Sequence, residues 1–190
     1  FEIIDELGTA PDYHWLPVGN AGNITAYWKG YQEYSTDQGA LKAVVNKRPI
    51  MCGYQAAGAT PFTLGYMVDE PETVATAIRI GHPQSWDSAW AAKEQSGGWF
   101  DCFEDVKILE AQKMLSAYEG IFCEPASATS LAGALKDITS GKIPEGSKIV
   151  CTLTGNGLKD PDTAIAQSTI KPTTVDAELG AVKTAILDSL

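Results

Sequence analysis

The residues best suited to chemistry are Gly19, Asn20, Ala21, Gly22 and Asn23, and the chemistry they suit is binding an anion. Leu16-Pro17-Val18 before them reads as the end of a buried strand, and a helix is expected over 24–34. Two glycines and two asparagines suit a backbone that curls tightly, with positive φ allowed at Gly19 and Gly22. Such a curl turns successive N–H groups inward as a nest. The nest lies just ahead of a helix N-terminus carrying roughly half a positive charge. A phosphate fits that geometry, and an ordinary strand-to-helix turn has the same glycine pattern. The spacing is neither the G-x-G-x-x-G of dinucleotide folds nor the G-x-x-x-x-G-K-[ST] of a P-loop.

Other reactive side chains are sparse. There are two histidines: His14 stands beside Trp15 at a strand start, and His82 lies in a Gly-His-Pro turn. Both read as structural or surface residues. No G-x-S-x-G elbow is present for a serine triad. The four cysteines (Cys52, Cys102, Cys123, Cys151) lack C-x-x-C spacing, which excludes a zinc ribbon and a disulfide scaffold and leaves reduced thiols in a cytoplasmic setting. No metal site is expected.

The formal net charge of -10 argues against nucleic acid or an anionic membrane as partner, because both need a basic face. A small anionic ligand needs only a local positive field. No apolar run approaches the roughly 20 residues of a membrane span. With 190 residues, 44% hydrophobic and 20% charged, the composition is that of a globular protein with one main domain.

The elements that must hold the glycine turn follow from periodicity. Residues 1–7 read as the middle of a helix ended by Gly8, so the chain looks like a fragment of a longer protein. Strands are expected over 13–18, 49–54, 99–103, 121–123 and 148–154. Helices are expected over 24–34, 73–81, 85–96, 105–119 and from about 124 to 140, with a polar helix or loop over 35–48. Alternating short strands and amphipathic helices predict an α/β fold, a largely parallel sheet with helices on both faces. Ligands of such sheets gather at the carboxyl ends of strands. The Gly19 turn, the Glu124-Pro125 junction and the Thr154-Gly155-Asn156-Gly157 turn are the segments expected to converge there.

Pro17-Val18-Gly19-Asn20-Ala21-Gly22-Asn23-Ile24-Thr25-Ala26-Tyr27-Trp28, Glu72-Thr73-Val74-Ala75-Thr76-Ala77-Ile78-Arg79-Ile80-Gly81, Glu124-Pro125-Ala126-Ser127-Ala128 and Leu153-Thr154-Gly155-Asn156-Gly157-Leu158-Lys159-Asp160-Pro161 together resemble threonine synthase. That family uses pyridoxal phosphate on the tryptophan synthase β-like fold, and the likeness covers roughly residues 1–166. It implies that Gly19, Asn20, Ala21, Gly22 and Asn23 hold the cofactor phosphate through backbone N–H groups and the asparagine side chains. It also implies that Thr154 faces the pyridine nitrogen, where a hydroxyl would leave that nitrogen largely unprotonated. The implied activity is conversion of O-phospho-L-homoserine and water to L-threonine and phosphate, in an intact enzyme expected to be a homodimer. A dehydratase-like β-elimination enzyme on the same fold and a noncatalytic binding module are the alternatives.

The family's Schiff-base lysine has no match here, so no catalytic residue is assigned. Lys159 belongs to a different family motif, and turnover by these residues alone is not expected. Glu124 and Arg79 read as structural, and Ser127 as a helix N-cap. Residues 1–166 are expected to form an incomplete cofactor-binding large domain. Residues 167–190 are expected to be a linker followed by an amphipathic helix over 175–190.

Overall fold

The computed structural model describes residues 1–37, 39, 42–168 and 173–188. Its first compact unit is Phe1–Asp160 and its second is Pro161–Leu190. In the first unit the elements run α1 (Glu2–Leu7), β1 (Tyr13–Pro17), α2 (Gly22–Tyr34), β2 (Ile50–Ala56), α3 (Pro61–Leu64), α4 (Trp86–Ser96), β3 (Trp99–Phe103), α5 (Asp105–Glu119), α6 (Pro125–Thr139) and β4 (Ile149–Cys151). Two 3-10 turns, Thr76–Ile78 and Gly157–Lys159, complete it. The second unit holds α7 (Pro161–Gln167) and α8 (Leu179–Leu187). Among the described residues no helix is long and apolar enough to cross a membrane.

The four strands pair in parallel in the order β3-β2-β1-β4, so the expected α/β architecture is present. Alternation along the strands sends side chains to both faces. Leu16, Val18 and Met51 join Ile24, Trp28 and Tyr31 of α2 and Ala89 and Ala92 of α4 in one core. Trp15, Cys52 and Tyr54 face the other way, against Ala134 of α6. The next layer on that side packs Ile108 and Leu115 of α5 against Ala128 and Ala132 of α6. Small residues let α6 lie close to the sheet: Gly133 sits against the Tyr54 ring, 2.5 Å from where a Cβ would project.

One carboxylate ties α6 to three strands. Asp137 Oδ2 accepts from Trp15 Nε1 in β1 at 3.0 Å, Tyr54 OH in β2 at 2.8 Å and Trp99 Nε1 in β3 at 3.2 Å. Lys142 Nζ stands 3.6 Å from Asp137 Oδ1 and lies over the Trp99 ring. The buried charge is thus surrounded by donors, the condition under which such a group is tolerated.

His14 is wholly buried as a structural group. Its Nε2 lies 2.6 Å from Thr152 Oγ1 and its Nδ1 lies 3.0 Å from Tyr31 OH. Burial pushes its pKa down to about 3. Below the usual histidine value of 6.5 the unfolded chain takes up a proton that the folded chain refuses, so stability is lost as pH falls. We expect unfolding free energy to drop by about 1.4 kcal/mol per pH unit from this group between pH 6.5 and 3. Denaturant melts of wild type and His14→Asn across that range check this, because the variant should lack the slope. His82, by contrast, is exposed, with Nε2 2.9 Å from Asp69 Oδ1.

Several elements differ from expectation. The stretch 73–81 is not a helix but the single 3-10 turn Thr76–Ile78. Asp105 diverts its backbone: Thr73 Oγ1 donates to Oδ1 at 2.5 Å and Val74 N to Oδ2 at 2.8 Å. Residues 121–123 form no strand. Cys123 makes an isolated bridge to Asn156, and its carbonyl is taken by Gln112 Nε2 at 2.7 Å. β4 spans three residues instead of the seven expected over 148–154, and β2 runs on to Ala56. The stretch 35–48, expected as helix or loop, is loop in its described residues, with 38, 40 and 41 outside them. The terminal helix begins at Leu179 and not 175, while 169–172 of the expected linker and residues 189 and 190 lie outside the described residues.

Candidate functional site

The sheet order locates the site. From β1 the chain steps outward to β2 and β3, then returns to place β4 on the other flank of β1. The order therefore reverses between β1 and β4, and the crevice at their carboxyl ends is where such sheets take ligands. Beyond the end of β1 lies the Gly19 turn, and beyond the end of β4 lies Thr154.

A cavity of about 330 Å³ opens there, lined by Gly19, Asn20, Ala21, Gly22 and Asn23 on one side and Thr154, Glu124 and Lys159 on the other. All six residues proposed from sequence share it. Ala77, Ile78 and Ile80 complete its wall. They can close over the turn because residue 19 has no side chain: a Cβ there would stand 2.9 Å from Ile78 Cα and 3.1 Å from the Ala77 carbonyl oxygen.

The turn is a nest of free donors. Among the described residues, no acceptor is found for the backbone N–H groups of Gly19, Asn20, Ala21, Gly22 or Asn23. The last two belong to the first turn of α2, where no intrahelical partner exists. Gly19 and Ala21 are buried, Asn23 is half-buried, and Asn20 and Gly22 are exposed. Unpaired donors at the positive end of α2 are of the kind that suits an anion.

The two glycines do not use the freedom they have. Positive φ falls on neither Gly19 nor Gly22 but on Ala21, at 65°. A left-handed alanine costs roughly 1 kcal/mol, and its buried methyl returns about 0.8 kcal/mol. Ala21→Gly is therefore expected to leave stability nearly unchanged, whereas Ala21→Val, branched at Cβ, should cost about 2 kcal/mol or more. Chemical denaturation of both variants checks the contrast.

The two asparagine side chains have local duties. Asn23 Nδ2 donates to the Pro17 carbonyl at 2.7 Å and its Oδ1 accepts from Ile24 N at 2.7 Å, bracing the turn. Asn20 Oδ1 accepts from Gln84 N at 2.8 Å, which leaves its amide nitrogen as the polar group with spare capacity. The donors left over for an anion are thus mainly backbone N–H groups.

On the opposite wall, Glu124 is 2% exposed and precedes Pro125 at the start of α6. Its Oε2 lies 3.6 Å from Lys159 Nζ, and its Oε1 is 3.5 Å from Thr154 Oγ1. Gly155 makes room for it, since a Cβ there would overlap the carboxylate. Ser127 is not the N-cap; Glu124 occupies that position, and Ser127 Oγ lies 3.0 Å from Thr154 Oγ1 and accepts from Gly155 N at 2.8 Å. Glu124, Ser127 and Lys159 all stood in the motifs compared above, but nothing local in the sequence showed that they meet. Arg79 does not reach the cavity wall; its Nε donates to the Thr73 carbonyl at 2.9 Å.

The cysteines take no part. Cys52 and Cys123 are buried and none is in a disulfide. Burial pushes Cys123 up to about 11 and Cys151 to about 12, far from the thiolate range. Among the described residues no cluster of metal-ligating side chains occurs.

Comparison with known proteins agrees with this geometry. The chain is 56% identical over 178 residues to threonine synthase of Mycobacterium leprae, covering 93% of this chain and 48% of that protein. It is 54% identical to threonine synthase of Synechocystis, covering 88% and 42%. Against threonine synthase of Methanocaldococcus jannaschii the figures are 43%, 96% and 46%. The chain spans about half the length of the curated relatives it matches. Among solved structures, the fungal L-serine ammonia-lyase from Rhizomucor miehei aligns with a TM-score of 0.68 at 16% identity, over 87% of this chain and 53% of that one. Threonine deaminase isoform 2 from Solanum lycopersicum gives 0.65 at 18% identity, over 82% and 40%. These two share the fold. The family described as pyridoxal-phosphate dependent enzyme matches residues 1–155, and this chain belongs to it.

Proposed function

We propose that the intact protein containing this chain is a threonine synthase, which converts O-phospho-L-homoserine and water to L-threonine and phosphate. The observation that carries this reading is that five residues with unpartnered backbone N–H groups line one cavity with Thr154, in a chain 56% identical to named threonine synthases. The cavity is of a size that suits a small cofactor.

In this reading the N–H groups of Gly19, Asn20, Ala21, Gly22 and Asn23 hold the phosphate of pyridoxal phosphate, with the amide of Asn20 beside them. Thr154 meets the ring nitrogen. Bound there, the cofactor supplies an electron sink for carbanions formed on the amino-acid substrate. Ala77, Ile78 and Ile80 form an apolar wall beside the cradle. Lys159, the lysine in the cavity wall, is committed to balancing the buried charge of Glu124 and is not the anchoring amine. The anchoring lysine comes from outside these 190 residues, and so do most contacts to the substrate. Residues 1–166 belong to the cofactor-binding domain and 167–190 to a linker and terminal helix outside it. The intact enzyme is a cytoplasmic homodimer.

The test is to incubate the whole protein with pyridoxal phosphate and O-phospho-L-homoserine, and to measure phosphate and threonine. Equal release of both supports the reading, and no phosphate release refutes it. The 190-residue chain alone is expected to release none.

A further inference from the structure

We infer that Ser127 is a positioning residue that fixes the direction of the Thr154 hydroxyl, so that Thr154 donates its proton into the cavity and the site selects a ring nitrogen bearing a free lone pair. This rests on the reading that the cavity holds pyridoxal phosphate.

The argument counts protons along a short chain of hydroxyls. Ser127 Oγ accepts from Gly155 N at 2.8 Å, which occupies one lone pair. Its own proton has two acceptors in reach, Thr154 Oγ1 at 3.0 Å and the Gly155 carbonyl at 3.4 Å. The shorter wins, and the Gly155 carbonyl already accepts from Glu124 N at 3.0 Å. Ser127 therefore donates to Thr154.

The Thr154 proton must then point elsewhere. Its acceptor within the protein is Glu124 Oε1 at 3.5 Å, the limit of a hydrogen bond, and that carboxylate also faces Lys159. The remaining direction is the cavity that Thr154 lines. The run Gly155 N–H, Ser127 O–H, Thr154 O–H is head to tail, so each donor strengthens the next. A protonated ring nitrogen would meet a second proton there, while an unprotonated one receives a hydrogen bond. Remove the Ser127 hydroxyl and the Thr154 lone pair it held is released, so the hydroxyl can rotate and present that lone pair to the cavity, which tolerates either state.

The experiment uses the whole protein loaded with pyridoxal phosphate carrying 15N at the ring nitrogen, read by NMR between about pH 6 and 9. Wild type should show the resonance of an unprotonated, hydrogen-bonded nitrogen that does not move with pH. In Ser127→Ala the resonance should titrate, and cofactor retention should weaken about five- to tenfold, one hydrogen bond's worth. Ser127→Thr should restore the flat profile. A flat profile in Ser127→Ala overturns the inference, as does a protonated nitrogen in wild type, which needs no variant to fold. A whole protein that retains no cofactor overturns the cofactor reading beneath it. Bound cofactor indifferent to Ser127 overturns this inference alone.

Discussion

Gly22→Asp is expected to abolish pyridoxal phosphate binding without unfolding the domain. The position has room: a Cβ at residue 22 meets nothing nearer than Ser85 Oγ at 3.9 Å, and its φ is not in the left-handed region. An aspartate at the start of α2 even favours the helix, by about 0.3–1 kcal/mol through the dipole. The same carboxylate sits in the anion cradle, competes for its N–H groups and repels the phosphate. Losing two charge-assisted hydrogen bonds costs about 3–5 kcal/mol, a fall in affinity of at least about 100-fold. Equilibrium dialysis of the cofactor with the whole protein, beside a thermal melt, would show binding lost and the midpoint kept. Gly19→Ala makes the contrast, because its methyl collides with the backbone of Ile78 and should disturb both. A Gly22→Asp protein that binds as well as wild type would remove the cradle from residues 19–23.

Asp137→Ala should be the most damaging single change to stability, at about 3–5 kcal/mol. It strands the indole N–H groups of Trp15 and Trp99 and the Tyr54 hydroxyl, each of which has Asp137 as its hydrogen-bond acceptor. A buried donor left without a partner costs about 1–3 kcal/mol, and three lose theirs together. It also frees Lys142 beside an apolar surface. Asp137→Asn keeps one acceptor oxygen and should lose about half as much. Urea melts separate the two, and an alanine variant as stable as wild type would mean that this network contributes nothing net.

The sequence disclosed the parts of the site that are local. Glycines and asparagines between an apolar run and a helix left an anion cradle and an ordinary turn both open, and they were joined to Thr154 through the family resemblance. The alternation of strands and helices was enough for a parallel sheet. What stayed hidden depends on contacts between distant residues. That Ala21 and not a glycine carries the positive φ is visible only in the folded turn, where Asn20 and Asn23 bond to Gln84 and Pro17, and propensity does not encode it. Residues 73–81 have a helix-like pattern that Asp105, about thirty positions later, overrides. Ser127 looks like a cap because serine usually is one near a helix start; its partners, Thr154 and Gly155, lie 27 and 28 residues away. Asp137 carries no local signal of its role, and its partner Trp15 is 122 positions away.

The ladder between β1 and β4 has three paired positions, Tyr13 with Ile149, His14 with Val150 and Trp15 with Cys151. Its amide protons should therefore exchange with solvent sooner than those of the β1–β2 ladder, which has five pairs. A ligand that touches the turn after β1 and Thr154 after β4 spans that seam like a rivet. Its binding energy then holds shut the joint most prone to open, and stability becomes a function of ligand concentration. Hydrogen exchange at Val150 and Cys151 would slow as ligand is added, while exchange deep in β2 would change less. In such a molecule, saturation of the site and closure of the sheet are two views of one equilibrium.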